Sequence, residues 1–177
     1  MVEEGYGNHP VTGITWVGAT SFANYYGLRL PTSEEWEKTA RGINDWSYWN
    51  GLGMADSNAT NFLNSGDPFD NGTTPVGFYD GTLHGTYQTQ DAPSDYGAYD
   101  MDGNVAEWTS TPSSRNDRSF IRRGGCWQWE NWDARYTRWD EPWFEEQNPT
   151  NGFRCVRDIS TARAQWLKEK LRRRRPQ

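Results

Sequence analysis

The chain of 177 residues has 34% hydrophobic residues and a mean hydropathy of −1.01, which is low for a protein with a packed core. Its eleven tryptophans, nine tyrosines and seven phenylalanines compensate, because each buried ring removes a large apolar area from water. Length and composition therefore predict one compact, loop-rich domain and exclude a disordered chain.

Charge is distributed unevenly along the chain. Residues 1–158 carry 11 basic and 23 acidic side chains, whereas residues 159–177 carry 7 and 1. The acidic body argues against nucleic-acid binding by the domain itself and suggests a cation site or a polar ligand. For most of these carboxylates, the favoured alternative is a solvated acidic face. No run approaches the roughly 20 apolar residues of a membrane span, and residues 1–4 do not resemble a signal peptide. These features leave the compartment open.

Two helices are predicted in the first quarter of the chain. Residues 9–16 are predicted to approach them as a strand, and residues 17–26 form the first helix, which ends at Gly27. Thr32 and Glu35 then have the spacing of a capping box. This pattern predicts a second helix that runs to about residue 41 and ends at Gly42.

The rest of the chain is predicted to be mostly irregular. Residues 44–97 are rich in Gly, Asn, Asp, Thr and Pro and show no sustained periodicity. The best strand candidates are residues 99–110, 119–128 and 152–158. Residues 161–174 have the pattern of an amphipathic helix that places three apolar side chains on one side: Trp166, Leu167 and Leu171.

Three separated motifs lie in the second half of the chain: Asp-Met-Asp-Gly-Asn-Val-Ala-Glu-Trp at 100–108, Arg-Gly-Gly-Cys-Trp at 123–127 and Gly-Phe-Arg-Cys-Val-Arg at 152–157. In this order they resemble the formylglycine-generating enzyme, or sulfatase-modifying factor, family. The resemblance implies an α+β, C-type-lectin-like fold, loop-rich with short strands and two flanking helices. It implies a domain over residues 1–158 that lacks the N-terminal portion of the family. Residues 159–177 form a basic amphipathic tail outside that domain.

The catalytic cysteines of the family have no counterpart here. The oxidases of this family bind copper with two cysteines, three and eight places after the serine of a Gly-Gly-Ser motif. Soft thiolates suit that metal. Cys126 occupies the serine position, so the two cysteine positions are Trp129 and Ala134. The resemblance therefore implies the fold but not the catalytic activity. Neither copper binding nor formylglycine formation is expected.

The two cysteines that are present lie beside the motifs, and three arrangements are open for them. The family fold places the strands of Cys126 and Cys155 close together, so a disulfide is one alternative. Two buried thiols that never meet are the second, since free cysteine is among the most buried residue types. A copper site made of this pair is the third and weakest.

Calcium is the cofactor that the resemblance implies. The family binds calcium at two places, and hard cations take oxygen from carboxylates, amides and carbonyls. The first place corresponds to Asn61, Phe62, Asp67 and Phe69, with the phenylalanines giving backbone oxygen. The second corresponds to Asn104, Val105 and Glu107. In the alternative interpretation, Asn104 and Glu107 only brace loops through hydrogen bonds.

The most distinctive surface is predicted for residues 127–150, where aromatic and acidic side chains alternate. In the family's oxidases this segment lines the substrate groove. In the variable proteins of diversity-generating retroelements, which share the fold, it holds the diversified positions. Trp127 is expected in the core. The ligand-binding candidates are the remaining rings: Trp129, Trp132, Tyr136, Trp139, Trp143 and Phe144.

The leading hypothesis is a non-catalytic, calcium-stabilised domain that binds a protein or a small ligand, or serves as an accessory subunit of a larger complex. An oxidase acting on a substrate cysteine and a retroelement-diversified receptor are the alternatives. The tail helix is expected to dock on a partner. Two alternatives are open for the four arginines of residues 172–175: they meet an acidic partner, a nucleic acid or a membrane surface, or they form a solvated end that keeps the helix soluble. The family resemblance favours an extracytoplasmic location.

Overall fold

The computed structural model describes residues 5–43, 55–69, 71–160 and 163. Helix α1 spans Trp16–Tyr25 and helix α2 spans Ser33–Arg41. Six short strands follow: β1 (Leu83–His84), β2 (Tyr87–Gln88), β3 (Ala106–Pro112), β4 (Phe120–Arg123), β5 (Trp139–Asp140) and β6 (Asn151–Phe153). The short strands and irregular connections confirm the loop-rich α+β prediction. Within the described residues, no helix has the length and apolarity needed to cross a membrane.

Both predicted helices are present, and local chemistry explains their ends. Thr15 caps α1 by accepting a hydrogen bond from the backbone amide of Gly18 at 3.0 Å. Thr32 and Glu35 form the predicted capping box, since each side chain bonds the other residue's backbone amide. Gly42, with φ at +63°, ends α2 as predicted.

The main sheet has four strands in the order β5–β4–β3–β6. β3 pairs with β4 in antiparallel fashion and with β6 in parallel, while β4 and β5 are antiparallel. A separate two-stranded hairpin joins β1 and β2. The long central strand β3 is therefore the element against which the later part of the chain assembles.

Buried aromatic rings couple the helices to this sheet. Trp36 of α2 packs with Ala40, Met101 and Tyr136. Trp108 of β3 is completely buried with Ala19 of α1 and Leu30. Large rings thus supply the core that the small aliphatic content could not, as the composition indicated.

The predicted strand boundaries were too wide, and residues 9–16 do not form a strand at all. β3 begins only at Ala106 because Asp100, Gly103 and Asn104 have positive φ and form a turn. A Cβ on Gly103 would lie 2.1 Å from the backbone oxygen of Asn61, so this turn requires glycine. β4 ends at Arg123 because Gly124 and Gly125 also have positive φ.

The third predicted strand is equally short. β6 stops at Phe153, after which Val156 makes only an isolated bridge to Arg29. The predicted tail helix over residues 161–174, with Trp166, Leu167 and Leu171, lies outside the described residues apart from Arg163. That residue is helical.

Candidate functional site

A buried carboxylate on β3 lies at the centre of the three sequence motifs. Glu107 is only 4% exposed, and its Oε2 accepts a hydrogen bond from the indole nitrogen of Trp36 at 2.6 Å. Arg154, which follows β6, donates to both carboxylate oxygens, with Nη2 at 2.7 Å from Oε1. One side chain of β3 therefore joins α2 to the segment after β6.

Arg154 also reaches the turn that precedes β3. Its Nη2 donates to the backbone oxygens of Tyr99 and Asp100 at 3.2 and 3.1 Å. Burial alone would lower the pKa of Arg154, but the ion pair with Glu107 raises it above its ordinary value. This arginine therefore stays charged, and together with the Trp36 indole it satisfies the Glu107 carboxylate.

The second predicted calcium site does not fit this geometry. The Glu107 carboxylate already holds a guanidinium and an indole N–H, so a metal would have to displace Arg154. The Asn104 side chain is also engaged, since its Oδ1 accepts from the amide of Thr74 and its Nδ2 donates to the Thr74 oxygen. These contacts correspond to the alternative interpretation, in which Asn104 and Glu107 brace loops through hydrogen bonds. Val105 is buried beside them.

The first predicted calcium site is chemically better suited. Asn61 and Asp67 are 1% and 3% exposed, and Phe62 and Phe69 flank them in the same loop. The Asp67 carboxylate accepts from the hydroxyl of Ser65 at 2.6 Å and the amide of Phe69 at 2.7 Å. Within the described part of the chain, no arginine or lysine is paired with Asp67. Carboxylate, amide and carbonyl oxygens are the ligands that a hard cation takes, and this loop contains all three.

No group of three or more His, Cys, Asp or Glu side chains is arranged to hold a metal in the ranges that the structure describes. The Asn61 loop is a different kind of donor set, because it would offer a single carboxylate. Its remaining ligands would be an amide and backbone carbonyls.

The positions that correspond to the family's catalytic cysteines are buried or half-buried. Ala134 is completely buried and packs with Ala55 and Phe62. Trp129 is half-buried, and the guanidinium of Arg138 lies over its ring at 4.8 Å from the centroid. The Trp129 ring therefore packs within the loop and contributes little to its outer surface.

Of the three alternatives for Cys126 and Cys155, the disulfide is not formed, and both cysteines are free. Cys126 is completely buried, with its thiol near the Thr150 side chain, whereas Cys155 lies half-buried after β6. Burial raises the pKa of both thiols, which disfavours the thiolate that copper requires.

The aromatic candidates of segment 127–150 divide into exposed and buried rings. Trp132, Trp139 and Trp143 are 58%, 44% and 54% exposed. Phe144 is half-buried, and the prediction for Tyr136 was wrong, because that ring is 3% exposed in the core with Trp36. We call the three exposed indoles the tryptophan surface.

A second charged centre supports this surface and was missed by the sequence analysis. Arg122 of β4 is 5% exposed and pairs with Asp140 and Glu146, at 2.5 and 3.1 Å. It also donates to the side chain of Asn151. The acidic residues counted as a solvated face are thus partly structural, and only pairing across strands, which one sequence does not show, could have revealed this.

Asp100 is a further residue that the sequence did not single out. Its Oδ2 accepts from the amide of Gly77 at 2.7 Å, whereas its Oδ1 is buried without a hydrogen-bond partner. Burial raises the pKa of this carboxyl from 3.8 to about 6. Asp100 lines a cleft of about 340 Å³ together with Tyr99, Glu107, Phe153 and Arg154.

Comparison with known proteins identifies the origin of these motifs. Residues 1–159 match the model of the sulfatase-modifying factor enzyme 1-like domain family. The chain is 32% identical over 177 residues to a serine/threonine-protein kinase pkn1 of Chlamydia caviae, covering 90% of this chain and 26% of that protein. It is also 32% identical over 125 residues to the inactive C-alpha-formylglycine-generating enzyme 2 of Bos taurus, covering 67% and 38%. The chain thus spans well under half of these relatives.

Solved structures of low identity share the fold. Treponema denticola variable protein 1 superposes with a TM-score of 0.66 at 18% identity, over 88% of this chain and 73% of that one. PvdO from Pseudomonas aeruginosa gives a TM-score of 0.68 at 19% identity, over 86% and 63%. These similarities agree with the predicted C-type-lectin-like fold.

Replacement of Arg154 tests the Glu107 centre. Arg154→Met leaves a buried carboxylate without its cation, which costs about 3–5 kcal/mol. We expect the free energy of unfolding, measured by urea denaturation, to fall by that order. The matched control Arg157→Met alters an exposed side chain and should change it by less than about 0.5 kcal/mol. Equal effects of the two substitutions would contradict the proposed centre.

Replacement of Asp100 tests its raised pKa. Because the folded-state pKa of about 6 lies above the ordinary 3.8, the folded protein loses stability as pH rises through this interval. Asp100→Asn removes the loss and suits the left-handed φ of 55° at this position. The variant should gain up to about 3 kcal/mol relative to wild type between pH 4 and pH 7. Asp117→Asn, at an exposed position, should show no such trend in denaturation curves across pH.

Proposed function

Because this chain belongs to the sulfatase-modifying factor enzyme 1-like domain family, we propose that it is a non-catalytic binding domain that recognises its ligand through the tryptophan surface. The observation that carries the proposal is the exposure of Trp132, Trp139 and Trp143 on one segment. The other tryptophans of the described residues are buried or half-buried: Trp16, Trp36, Trp108, Trp127 and Trp129. Exposed indoles are candidate interaction sites, since tryptophan is enriched among residues that dominate binding energy.

The tryptophan surface is held by the fold. Trp139 lies in β5, which pairs with β4, and Trp143 makes a bridge to Ser119. The guanidinium of Arg118 lies over the Trp143 ring at 4.9 Å from its centroid. Rings that are ordered before binding lose less conformational entropy when a ligand arrives.

Ion pairs neutralise much of the acidic character of this segment. Glu145 and Glu141 pair with Arg118 and Arg115, at 3.5 and 3.1 Å. Asp140 and Glu146 share Arg122. A ligand would therefore meet indole rings more than net charge, and we expect its affinity to depend only weakly on salt.

The catalytic alternative has less support. The two positions that would hold copper are Trp129 and Ala134, and Ala134 is completely buried in the core. The relative named an inactive C-alpha-formylglycine-generating enzyme 2 indicates that the family contains members without the oxidase activity. Binding without catalysis is therefore the function that we infer for this domain, whether alone or as an accessory part of a larger assembly. The extracytoplasmic location stays a prediction.

The diversified receptor is a special case of the same proposal. The tryptophan surface lies between the Gly-Gly and Gly-Phe-Arg motifs, where variable proteins carry their diversified positions. A near-identical, adenine-rich template repeat beside the gene would support this case, and its absence from the complete locus would exclude it.

We further propose that calcium occupies the Asn61 loop. Asn61, Asp67 and the backbone oxygens of Phe62 and Phe69 would hold the ion, which would neutralise the buried Asp67 carboxylate. A ligand that binds only the folded state adds about 2.7 kcal/mol of stability at a concentration one hundred times its dissociation constant.

Thermal unfolding with calcium and with a chelator tests this ion. Wild type should melt at a higher temperature with calcium, and Asp67→Asn should lose that increment because the amide retains hydrogen bonding but not charge. Asp117→Asn, at an exposed site, should keep it. A calcium increment that persists in Asp67→Asn would place the ion elsewhere.

The tryptophan surface is tested by a matched pair of triple variants. Trp132, Trp139 and Trp143 are replaced by serine in the first variant. Three apolar residues of similar exposure on other faces, Val76, Leu83 and Tyr96, are replaced by serine in the second. For ligands selected on wild type from peptide and glycan arrays, the first variant should lose at least about tenfold in affinity. Loss in the second variant alone would refute the proposed surface.

A further inference from the structure

A cleft of about 520 Å³ lies between the loop of residues 68–69, the turn of residues 75–80 and the tip of the β1–β2 hairpin. Its volume is within the range of small-molecule sites in proteins. It shares no lining residue with the tryptophan surface or with the ion pair of Glu107 and Arg154. We call it the Phe78 cleft.

Three rings form the apolar part of the Phe78 cleft. Phe78 is 5% exposed, and its ring centroid lies 5.5 Å from that of Phe69 in an edge-to-face arrangement and 4.2 Å from that of His84 at an angle of 30°. Phe69 and His84 are half-buried, so part of each ring stays open to the cleft. Pro68 and Pro75 complete the wall. Such a lining accepts a further aromatic ring, because aromatic pairs are stable in offset and edge-to-face geometries.

One carboxylate lies at the edge of these rings. Oδ1 of Asp80 accepts hydrogen bonds from the hydroxyl and the backbone amide of Thr82 at 2.7 and 2.9 Å, and it lies 3.1 Å from Nε2 of His84. The bonds from Thr82 lower the pKa of Asp80 to about 2, so the carboxylate is ionised at neutral pH. Among the described residues, no hydrogen bond engages Oδ2. This oxygen is available to a ligand.

The charge of the lining favours a cation. Asp80 is the only acidic side chain among the described lining residues, and no lysine or arginine lines the cleft in this part of the chain. Residues 1–158 as a whole carry 23 acidic and 11 basic side chains. An anionic ligand would therefore meet repulsion both locally and from the domain, whereas a cation would be attracted. Aromatic ring faces also attract cations.

The backbone holds the Phe78 cleft in shape. The amide of Phe78 donates to the oxygen of Pro75 at 3.1 Å, and the amide of Val76 donates to the oxygen of Asn8 at 2.8 Å. On the other side, His84 pairs with Tyr87 across the hairpin. A site that is formed before binding loses little conformational entropy when its ligand arrives.

We propose that the Phe78 cleft binds a small aromatic ammonium compound. The ring of the ligand packs against Phe69 and Phe78, and its ammonium group donates to Oδ2 of Asp80. This site is separate from the tryptophan surface and adds a second, small-molecule ligand to the domain.

Amide NMR titration of the full chain with phenethylamine at about pH 8, where an aliphatic amine is protonated, tests the site. The signals of Gly77 and Gly85, which both line the cleft, should shift in a saturable manner. Phenylpropionate, which carries an anionic group on a similar ring, should bind at least about fivefold more weakly. Equal affinities for the two compounds, or no saturable shift of these amides, would overturn the proposal.

Replacement of Asp80 tests the role of the carboxylate. Asp80→Asn keeps an oxygen acceptor for Thr82 but removes the charge, and it should raise the dissociation constant for phenethylamine about fivefold. Binding of the neutral phenethyl alcohol should stay at the wild-type level. Asp117→Asn, at an exposed position, should alter neither compound. Unchanged phenethylamine binding in Asp80→Asn, or equal losses for the amine and the alcohol, would contradict the proposed contact.

A charge added at the mouth of the Phe78 cleft gives an independent test. Val76 is 65% exposed, so Val76→Arg should leave the fold intact and weaken phenethylamine binding about fivefold through repulsion. Val17→Arg places the same charge at a 48% exposed position on α1 and should have no effect. Equal affinities in these two variants would overturn the site.

The same titration separates this site from the other two proposals. All samples contain one calcium concentration, because Phe69 also belongs to the proposed calcium loop. Replacement of Trp132, Trp139 and Trp143 by serine should leave phenethylamine binding unchanged, so that failure of the tryptophan surface and failure of the Phe78 cleft are seen separately. Loss of phenethylamine binding in that triple variant would place the amine on the tryptophan surface and refute the cleft.

Discussion

The ion pair between Glu107 and Arg154, completed by the Trp36 indole, is the interaction on which the rest of the structure depends. It joins α2, the central strand β3 and the segment after β6 through one buried carboxylate. Such a pair contributes little net stability compared with an apolar core, because both ions must leave water. The pair instead fixes the relative positions of these three elements, since removal of either partner leaves an uncompensated buried charge.

This fixed centre determines where the tryptophan surface lies. β3 pairs with β4, and β4 ends in the Gly124–Gly125 turn, which starts the 127–150 segment. A Cβ on Gly125 would lie 2.6 Å from the backbone oxygen of Asp133, so the segment folds back tightly on the turn. Both ends of the segment are thus held by the sheet, whereas Trp132, Trp139 and Trp143 face solvent between them. The domain therefore separates a rigid frame from the side chains available for recognition.

The sequence was informative wherever structure is decided by neighbouring residues. The capping box of Thr32 and Glu35 and the terminal Gly42 act locally, and both were predictable. Strand limits were not, because positive φ at Asp100 and Asn104 interrupts an otherwise strand-like stretch. The contacts of the candidate site were harder to predict than the strand limits. Arg154 lies 47 residues from Glu107 along the chain, and the burial of Tyr136 against Trp36 has no local signature. The family resemblance supplied the fold, but it also suggested a calcium ligand at Glu107, where this chain places an ion pair.

The central claim is that this member of the family binds without oxidase chemistry, and one measurement tests it most directly. Native mass spectrometry of the chain purified without chelator gives its metal content, and thiol alkylation on the same sample counts free cysteines. Our account predicts calcium without copper and two reactive thiols after unfolding, those of Cys126 and Cys155. Stoichiometric copper with both thiols engaged would contradict it and would make oxidation of a substrate cysteine the working hypothesis.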